Sequence, residues 1–324
     1  MTKKIDSLEI VLPKNQLNLF GYEKYFKSFV NLYQKNKLPN TILLSGPKGI
    51  GKATFAYHFI NYILSCNDTN MYSIENMAIN PQSLSYKSLI NNTNPNFALL
   101  ETDVEGENIK VDKVRDIINF LNKSTYSSDI KIILIDNAEY LNTHASNALL
   151  KVLEESNNRT FFFIIHNSYK KILDTIRSRC IEFKFFFTIS EKDKILKNIV
   201  KFYDTKFNLY NIDDSFYFDT PGNILRYLII FKDSNIDLSK NKLECILYLI
   251  DKYKHKNDAE SLTIISSFVE LFYKDLSINK NKDFNIYSMN KYKLIQQIND
   301  AKQFNLDKKN LFTSIIGTLN YETR

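Results

Sequence analysis

The sequence contains no tryptophan and only 3 cysteines, 6 prolines and 7 glycines among 324 residues. Cys66, Cys180 and Cys245 are widely separated and odd in number, so they indicate reduced thiols rather than a disulfide framework or a zinc cluster. No run of about 18 apolar residues is present, so no membrane-spanning helix is expected. Met1–Asp6 lacks the apolar core of a signal peptide, and we therefore expect a cytoplasmic protein.

The overall composition is that of a folded protein. Hydrophobic residues make up 44% of the chain and charged residues 24%, which argues against gross disorder. The length predicts two or three domains. The net charge of +7 is compatible with solvated lysines or with a weak attraction to nucleic acid, and the even spread of lysines locates no patch.

Three of the few glycines lie together in Gly46–Lys52, between the apolar run Thr41–Ser45 and the helical pattern Phe55–Ile60. Strand, glycine-rich turn and helix form the context of a phosphate-binding loop, in which backbone N–H groups surround an anion and Lys52 reaches the outer phosphates. A chance glycine turn is the alternative. The predicted nucleotide contacts are Gly46, Pro47, Lys48, Gly49, Ile50, Gly51, Lys52, Ala53, Thr54 and Asp136.

The groups that would support ATP hydrolysis are incomplete. Ala53 stands where the pattern requires Ser or Thr for Mg²⁺, and Thr54 comes one residue late. Asp136 ends a buried strand where a carboxylate would lie near Mg²⁺, or else it merely caps the next turn. Asn137 follows where many such ATPases have a Glu, and an amide is no general base. Glu139 would compensate only if the turn bent inward, which we do not expect, so efficient hydrolysis is not predicted.

Periodicity predicts an α/β region up to about residue 185 and helices after it. Uninterrupted apolar strands alternating with helices indicate a parallel sheet covered on both faces. The expected strands are Thr41–Ser45, Phe97–Glu101, Lys131–Asp136, Thr160–Ile165 and Ile181–Phe185. The expected helices are Tyr22–Asn36, Val111–Leu121, Leu141–Ser156 with Asn142 as N-cap, one opened by a capping box at Ser190–Asp193, one starting at Pro221–Gly222, and about four after Lys240.

Several segments match a known family. By spacing alone, Arg179 in Ser178-Arg179-Cys180 is an ordinary surface arginine at the entrance of a strand. Together with Gly46–Thr54, Asn147–Glu155 and Thr220–Gly222, however, it makes the chain resemble the delta-prime family of bacterial DNA polymerase III clamp-loader subunits, which are AAA+ proteins. Further matching segments are Leu38–Asn40, Val111–Arg115, Ile135–Glu139 and Phe304–Lys309.

The resemblance implies an AAA+ P-loop domain with a parallel sheet (residues 1–186), a small helical lid (187–238) and an all-helical collar (239–324). It also implies a stationary subunit of a hetero-pentamer with motor subunits and a clamp-opening subunit. That complex places a sliding clamp on primed DNA at the replisome in the cytoplasm, without a membrane. Arg179 matches the arginine finger that acts in trans on a neighbour's ATP, and the degenerate loop would hold ATP or ADP.

Two departures from the family bear on the site. Many relatives carry a four-cysteine zinc module where this chain offers only Cys66, so no zinc is predicted. The arginine that motor subunits place near Pro221–Gly222 is missing, and Arg226 lies one turn later. Arg115 would face DNA inside the ring or would simply be solvated. The alternative functions are an active AAA+ ATPase (a motor subunit or a related remodelling enzyme) and a stand-alone P-loop kinase.

Overall fold

A computed structural model describes residues 11–102, 107–123, 130–155, 159–202, 216, 219–232, 234, 236, 238, 241–254, 259–279, 284–304 and 306–322. These residues form two compact units. The first contains the described residues up to 202 and those from 219 to 230, and the second contains residue 216 and those from 231 onward. The division into three domains at 186 and 238 remains a prediction.

The first unit is built on a five-stranded parallel sheet with the strand order β2-β3-β4-β1-β5. The strands lie where the apolar runs predict them. Their bounds are β1 Thr41–Gly46, β2 Phe97–Leu100, β3 Lys131–Ile135, β4 Thr160–Asn167 and β5 Ile181–Lys184.

The described residues up to 231 form eight α-helices. Their bounds are α1 Glu23–Gln34, α2 Lys52–Leu64, α3 Leu84–Ile90, α4 Val111–Asn122, α5 Thr143–Glu155, α6 Asp174–Arg177, α7 Ile189–Phe202 and α8 Pro221–Phe231. Asn142 caps α5 as predicted, since its Oδ1 accepts the Ala145 N–H at 2.8 Å.

The predicted capping box at Ser190–Asp193 is wrong by two residues. Helix α7 begins at Ile189, and the reciprocal pair is Thr188 with Glu191. The Glu191 carboxylate accepts the Thr188 N–H at 2.8 Å, while the Thr188 hydroxyl accepts the Glu191 N–H at 3.3 Å. Both Thr188 and Ser190 can start such a box, and the one that lies outside the helix takes the role.

The sheet separates two apolar layers. Side chains alternate along β1, so that Ile42 and Leu44 join the layer of α1 and α2 while Leu43 joins the layer of α4 and α5. The first layer is dominated by rings, with Phe55 packed edge-on against Phe29 at a centroid distance of 5.0 Å. This aromatic layer anchors α2, the helix that follows the glycine-rich loop.

His58 of α2 is fully buried and neutral. Its Nε2 lies 2.9 Å from the Gln16 carbonyl, which only accepts, so Nε2 carries the proton and Nδ1 accepts the Tyr72 hydroxyl at 3.0 Å. Burial lowers the pKa of His58 to about 4. The contact ties the segment after α2 to the core.

Because the unfolded state binds a proton on His58 at a higher pH than the folded state, acidification from pH 6.5 towards pH 4 favours unfolding. We expect His58 to remove about 2 kcal/mol of stability between pH 7 and pH 5. Urea unfolding at both pH values measures the loss. His58→Gln should be less stable at pH 7 but should lose less on acidification, and an equal loss in both proteins would contradict the assignment.

In the second unit, the residues that the structure describes form four helices, in agreement with the helical pattern of the sequence. They are α9 Lys242–Tyr253, α10 Ala259–Asn279, α11 Phe284–Phe304 and α12 Lys308–Glu322, and α9 packs on α10 and α12 while α11 packs on the same two helices. None of the helices in the described ranges is both long and apolar enough to span a lipid bilayer.

Candidate functional site

The loop between β1 and α2 has the backbone of a phosphate-binding turn. Every residue of β1 is buried, and the chain then turns through Gly49 and Gly51, whose φ values are +81° and +102°. Glycine adopts these left-handed values without a side-chain clash. A Cβ at Gly46 would lie 2.8 Å from the Phe185 carbonyl oxygen, so this position also requires glycine.

Hydrogen bonds from elsewhere in the first unit fix the loop carbonyls. The Tyr22 hydroxyl donates to Ile50 O at 2.9 Å, the Thr220 hydroxyl donates to Lys48 O at 2.9 Å, and the Gly222 N–H donates to Gly49 O at 3.0 Å. Among the described residues, the N–H groups of Gly49–Thr54 have no acceptor. A loop with its carbonyls held and its N–H groups available, at the start of a 13-residue helix, suits an anion such as a phosphate.

Lys52 lies inside this site. Its Nζ donates to Gly46 O and Pro47 O, each at 2.8 Å, and the residue is buried. Burial lowers the pKa of Lys52 to about 8, against the opposing attraction of Glu139 and Asp136. The ammonium therefore stays mostly protonated at neutral pH and supplies positive charge to the loop.

Asp136 follows β3 at the same edge of the sheet. Burial, and then the Glu101 carboxylate, raises the pKa of Asp136 to about 6, while the Asn137 N–H and Lys52 oppose the shift. The carboxyl group thus interacts with both the following turn and the loop lysine, so the two sequence interpretations of Asp136 are compatible. Its predicted role as a nucleotide contact remains a prediction.

The turn after Asp136 gives a physical reason for Asn at the position where many such ATPases have a Glu. Asn137 has φ +56° and ψ +54°, a left-handed conformation that Asn tolerates better than Glu. This turn leads into Ala138–Tyr140 and brings Glu139 towards β4, where its Oε2 accepts the Asn167 N–H at 3.2 Å. The turn thus bends Glu139 inward, contrary to expectation, because the left-handed residue redirects the chain.

The site offers few side chains that could hold a metal ion. Ala53 carries no hydroxyl, and Thr54 is rotated about 100° further around α2. Across the described residues there is no group of three or more His, Cys, Asp or Glu side chains placed to hold a metal ion. In the region of the zinc module, the Cys66 thiol is exposed and donates to Tyr62 O at 3.2 Å. The absence of zinc remains a prediction.

The start of α8 is packed directly on the loop. A Cβ at Gly222 would lie 2.5 Å from Gly49 O, and a Cβ at Gly49 would lie 2.4 Å from the Thr220 Oγ1. An arginine at position 222 therefore does not fit, which gives a physical reason for the missing arginine.

Asp219 holds this end of α8 together. One of its carboxylate oxygens accepts the Thr220 N–H and the Asn223 Nδ2, both at 2.7 Å, and the other accepts the Tyr227 hydroxyl at 2.6 Å. The motif Thr220–Gly222 is evident in the sequence, but nothing in the sequence indicates its contact with the loop. We call this contact of Thr220–Asn223 with Lys48–Gly49 the loop latch.

Arg179 is exposed at a different edge of the sheet. In the parallel pair of β1 and β5, Ile181 lies opposite Ile42 and Lys184 lies opposite Ser45. Arg179 precedes β5 at the amino edge, whereas Gly46 follows Ser45 at the carboxyl edge. Four residue steps along a strand rise about 13 Å. The structure therefore does not bring Arg179 together with the loop, Lys52 and Asp136.

The motif around Arg179 folds over the last carbonyls of α6. The Ser178 hydroxyl donates to Thr175 O at 3.1 Å, and the Cys180 thiol donates to Ile176 O at 3.1 Å. Burial raises the pKa of Cys180 to about 12, so this thiol is a packing group rather than a nucleophile. The two flanking residues thereby fix the backbone that presents Arg179.

Two relatives are similar to parts of this chain in sequence. A delta-prime subunit of DNA polymerase III from Pseudomonas aeruginosa is 32% identical over 140 residues, which cover 43% of this chain and 41% of that relative. A gamma/tau subunit from Mycoplasma genitalium is 28% identical over 257 residues, covering 78% of this chain and 38% of the relative. The chain thus spans less than half the length of either relative.

A solved structure supports the fold. The DNA polymerase III gamma subunit-related protein of Thermotoga maritima superposes with a TM-score of 0.51 at 16% identity, covering 91% of this chain and 99% of that one. This likeness and the parallel sheet with its C-terminal helices confirm the predicted fold, an α/β domain with a parallel sheet followed by helices.

The family itself is identified from the sequence profile. The profile described as "DNA polymerase III, delta subunit" matches residues 21–187, more than half of the sequence. The chain belongs to this DNA polymerase III delta-subunit family, as its resemblance to delta-prime clamp-loader subunits predicted.

Proposed function

We propose that this chain is a clamp-loader subunit that does not hydrolyse ATP efficiently and that lends Arg179 to the nucleotide of a neighbouring subunit. The observation that carries the proposal is the position of Arg179 at the amino edge of the sheet, while the chain's own loop lies at the carboxyl edge. At about 13 Å or more from its own loop, an exposed guanidinium acts on another molecule's phosphate or on none.

The weak pocket of the chain fits this division of roles. The loop offers N–H donors and Lys52 for the phosphates of ATP or ADP, but Ala53 provides no hydroxyl for Mg²⁺. The Gly222 N–H already donates to Gly49 O. Helix α8 therefore offers a bound nucleotide neither an arginine nor this N–H. We therefore propose that a bound nucleotide would be held without efficient turnover.

The partners belong to the same proposal. They are the motor subunits and the clamp-opening subunit of a hetero-pentamer, the sliding clamp, and primed DNA reached through the complex, in the cytoplasm at the replisome. Arg115 of α4 pairs with Asp112 at 2.7 Å, and both side chains are mostly exposed. An exposed pair of this kind is worth less than about 1 kcal/mol. A DNA phosphate could therefore replace Asp112 at little cost.

An active ATPase is the alternative, and one observation favours it. The Glu139 carboxylate reaches the end of β4 beside the loop and is coupled to Lys52. A carboxylate in this region is the type of group that activates water. Hydrolysis by the chain itself is therefore worth a direct test.

We expect the purified chain to release phosphate from ATP no faster than its Lys52→Ala variant does. The variant removes the loop cation and reports contaminating activity. Phosphate release is measured with and without Mg²⁺, and nucleotide binding is followed in parallel. Turnover that depends on both Lys52 and Glu139 would contradict the proposal and support the active enzyme.

A further inference from the structure

The guanidinium of Arg179 is held at all three of its nitrogens. Nε donates to the Glu154 Oε1 at 2.6 Å, Nη2 forms an ion pair with the same oxygen, and Nη1 donates to Thr175 O at 2.9 Å. A planar group bound at three nitrogens has a defined orientation as well as a defined position.

The two partners of Arg179 lie on elements that share one core. Glu154 is in the last turn of α5 and Thr175 is in α6. Val152 and Leu153 of α5 and Ile176 of α6 are buried in the same apolar cluster beneath the sheet. The distance between the carboxylate and the carbonyl that hold Arg179 is therefore set by core packing.

The Glu154–Arg179 pair adds little to folding stability. The side chains are 52% and 36% exposed, and ion pairs this exposed contribute about 0–1 kcal/mol. The pair can still affect catalysis by orienting the guanidinium, because the charge on a phosphoryl group is stabilised best by a donor that is already aimed at it. Glu154 leaves further guanidinium N–H groups for a ligand, since Arg carries five in total.

We propose that Glu154 is a positioning residue for Arg179. It acts through the guanidinium and touches no substrate, and its role rests on the proposed function of Arg179 in trans. Loss of the Glu154 charge weakens two of the three contacts, because charge-assisted hydrogen bonds are roughly twice as strong as neutral ones. The guanidinium is then less firmly held in its orientation. The neighbour's ATP would then meet a more mobile cation.

The test uses the assembled complex with its motor subunits, sliding clamp and primed DNA. Glu154→Gln keeps the size of the side chain and removes its charge. We expect kcat for ATP at the neighbouring site to fall about tenfold, with KM for ATP unchanged. Asp193→Asn is the matched control, since Asp193 is a partly exposed carboxylate of α7 paired with Lys197 at 2.7 Å, and it should leave kcat unaltered. Co-elution of each variant with the motor subunits checks assembly.

A double variant shows whether the effect passes through Arg179. Glu154→Gln should change nothing once Arg179→Ala is present, because the group to be positioned is gone. If Glu154→Gln lowers kcat equally in both backgrounds, or raises it, the positioning role is overturned and the trans arginine stands. If Arg179→Ala itself leaves turnover unchanged, both the proposed function and this inference are overturned.

Discussion

Arg179→Ala is expected to lower ATP turnover at the neighbouring site by about a thousandfold or more, because arginine fingers contribute roughly 10³–10⁵ in rate in related phosphoryl transfers. The guanidinium stabilises the charge on the transferred phosphoryl group, and alanine leaves that charge to solvent. Binding of ATP should change far less, since the loop of the neighbour supplies most ground-state contacts.

The loss of turnover can be measured only when ATP hydrolysis is confined to the site that faces Arg179. The loop lysine is kept in the neighbouring subunit and replaced in the other motor subunits, so that these no longer hydrolyse ATP. Single-turnover phosphate release in the presence of clamp and primed DNA then reports the chemical step. Arg179→Lys should recover only a small part of the rate, because lysine keeps the charge but lacks the planar fork.

Arg177→Ala is the control for Arg179. Arg177 lies two residues away, is exposed, and pairs with the Glu182 Oε2 at 2.7 Å. We expect its variant to assemble and to turn over ATP at the normal rate. An Arg179→Ala complex that loads clamps and hydrolyses ATP like the unmodified one would refute the trans role.

Gly222→Arg is expected to destabilise the first unit by about 3 kcal/mol rather than to create a nucleotide sensor. A Cβ at this position would lie 2.5 Å from Gly49 O, so α8 would have to move off the loop. The hydrogen bond from the Gly222 N–H to Gly49 O would be lost with that movement. ATP turnover by the isolated chain should not rise.

Hydrogen exchange measures this outcome locally. The amides of α8 should lose protection in Gly222→Arg, and thermal unfolding should begin at a lower temperature. Gly317→Arg is the matched control, because a Cβ at Gly317 of α12 meets nothing within 4 Å. Replacing glycine inside an exposed helix with arginine is neutral or slightly stabilising. Unchanged protection of α8 in Gly222→Arg would show that the latch is not rigid.

The sheet and the loop could be predicted because their signals are local. Long apolar runs separated by helical patterns define the five strands, and glycines after β1 define the turn. The exposed position of Arg179 at the entrance of β5 was also readable, since the motif directly precedes the strand. Such features depend on neighbours in sequence.

The contacts that give the site its character are long-range and could not be predicted. Thr220 reaches Lys48 across 172 residues, and Glu154 reaches Arg179 across 25. No periodicity marks such pairs, because they depend on how α8 and α5 pack. The direction of the Glu139 side chain could not be predicted because it depends on one residue, Asn137, whose left-handed conformation turns the chain.

The placement of Arg179 and the loop at opposite edges of one sheet makes any contact with neighbours directional. Under the proposed function, the molecule would meet one neighbour with its arginine and another with its loop, so the two surfaces would differ and assembly would be head-to-tail. Because its own loop would not support efficient hydrolysis, it would stimulate ATP hydrolysis in one neighbour without being stimulated by the other. In a ring containing one such member, the subunit that faces its arginine would always be the first to hydrolyse ATP.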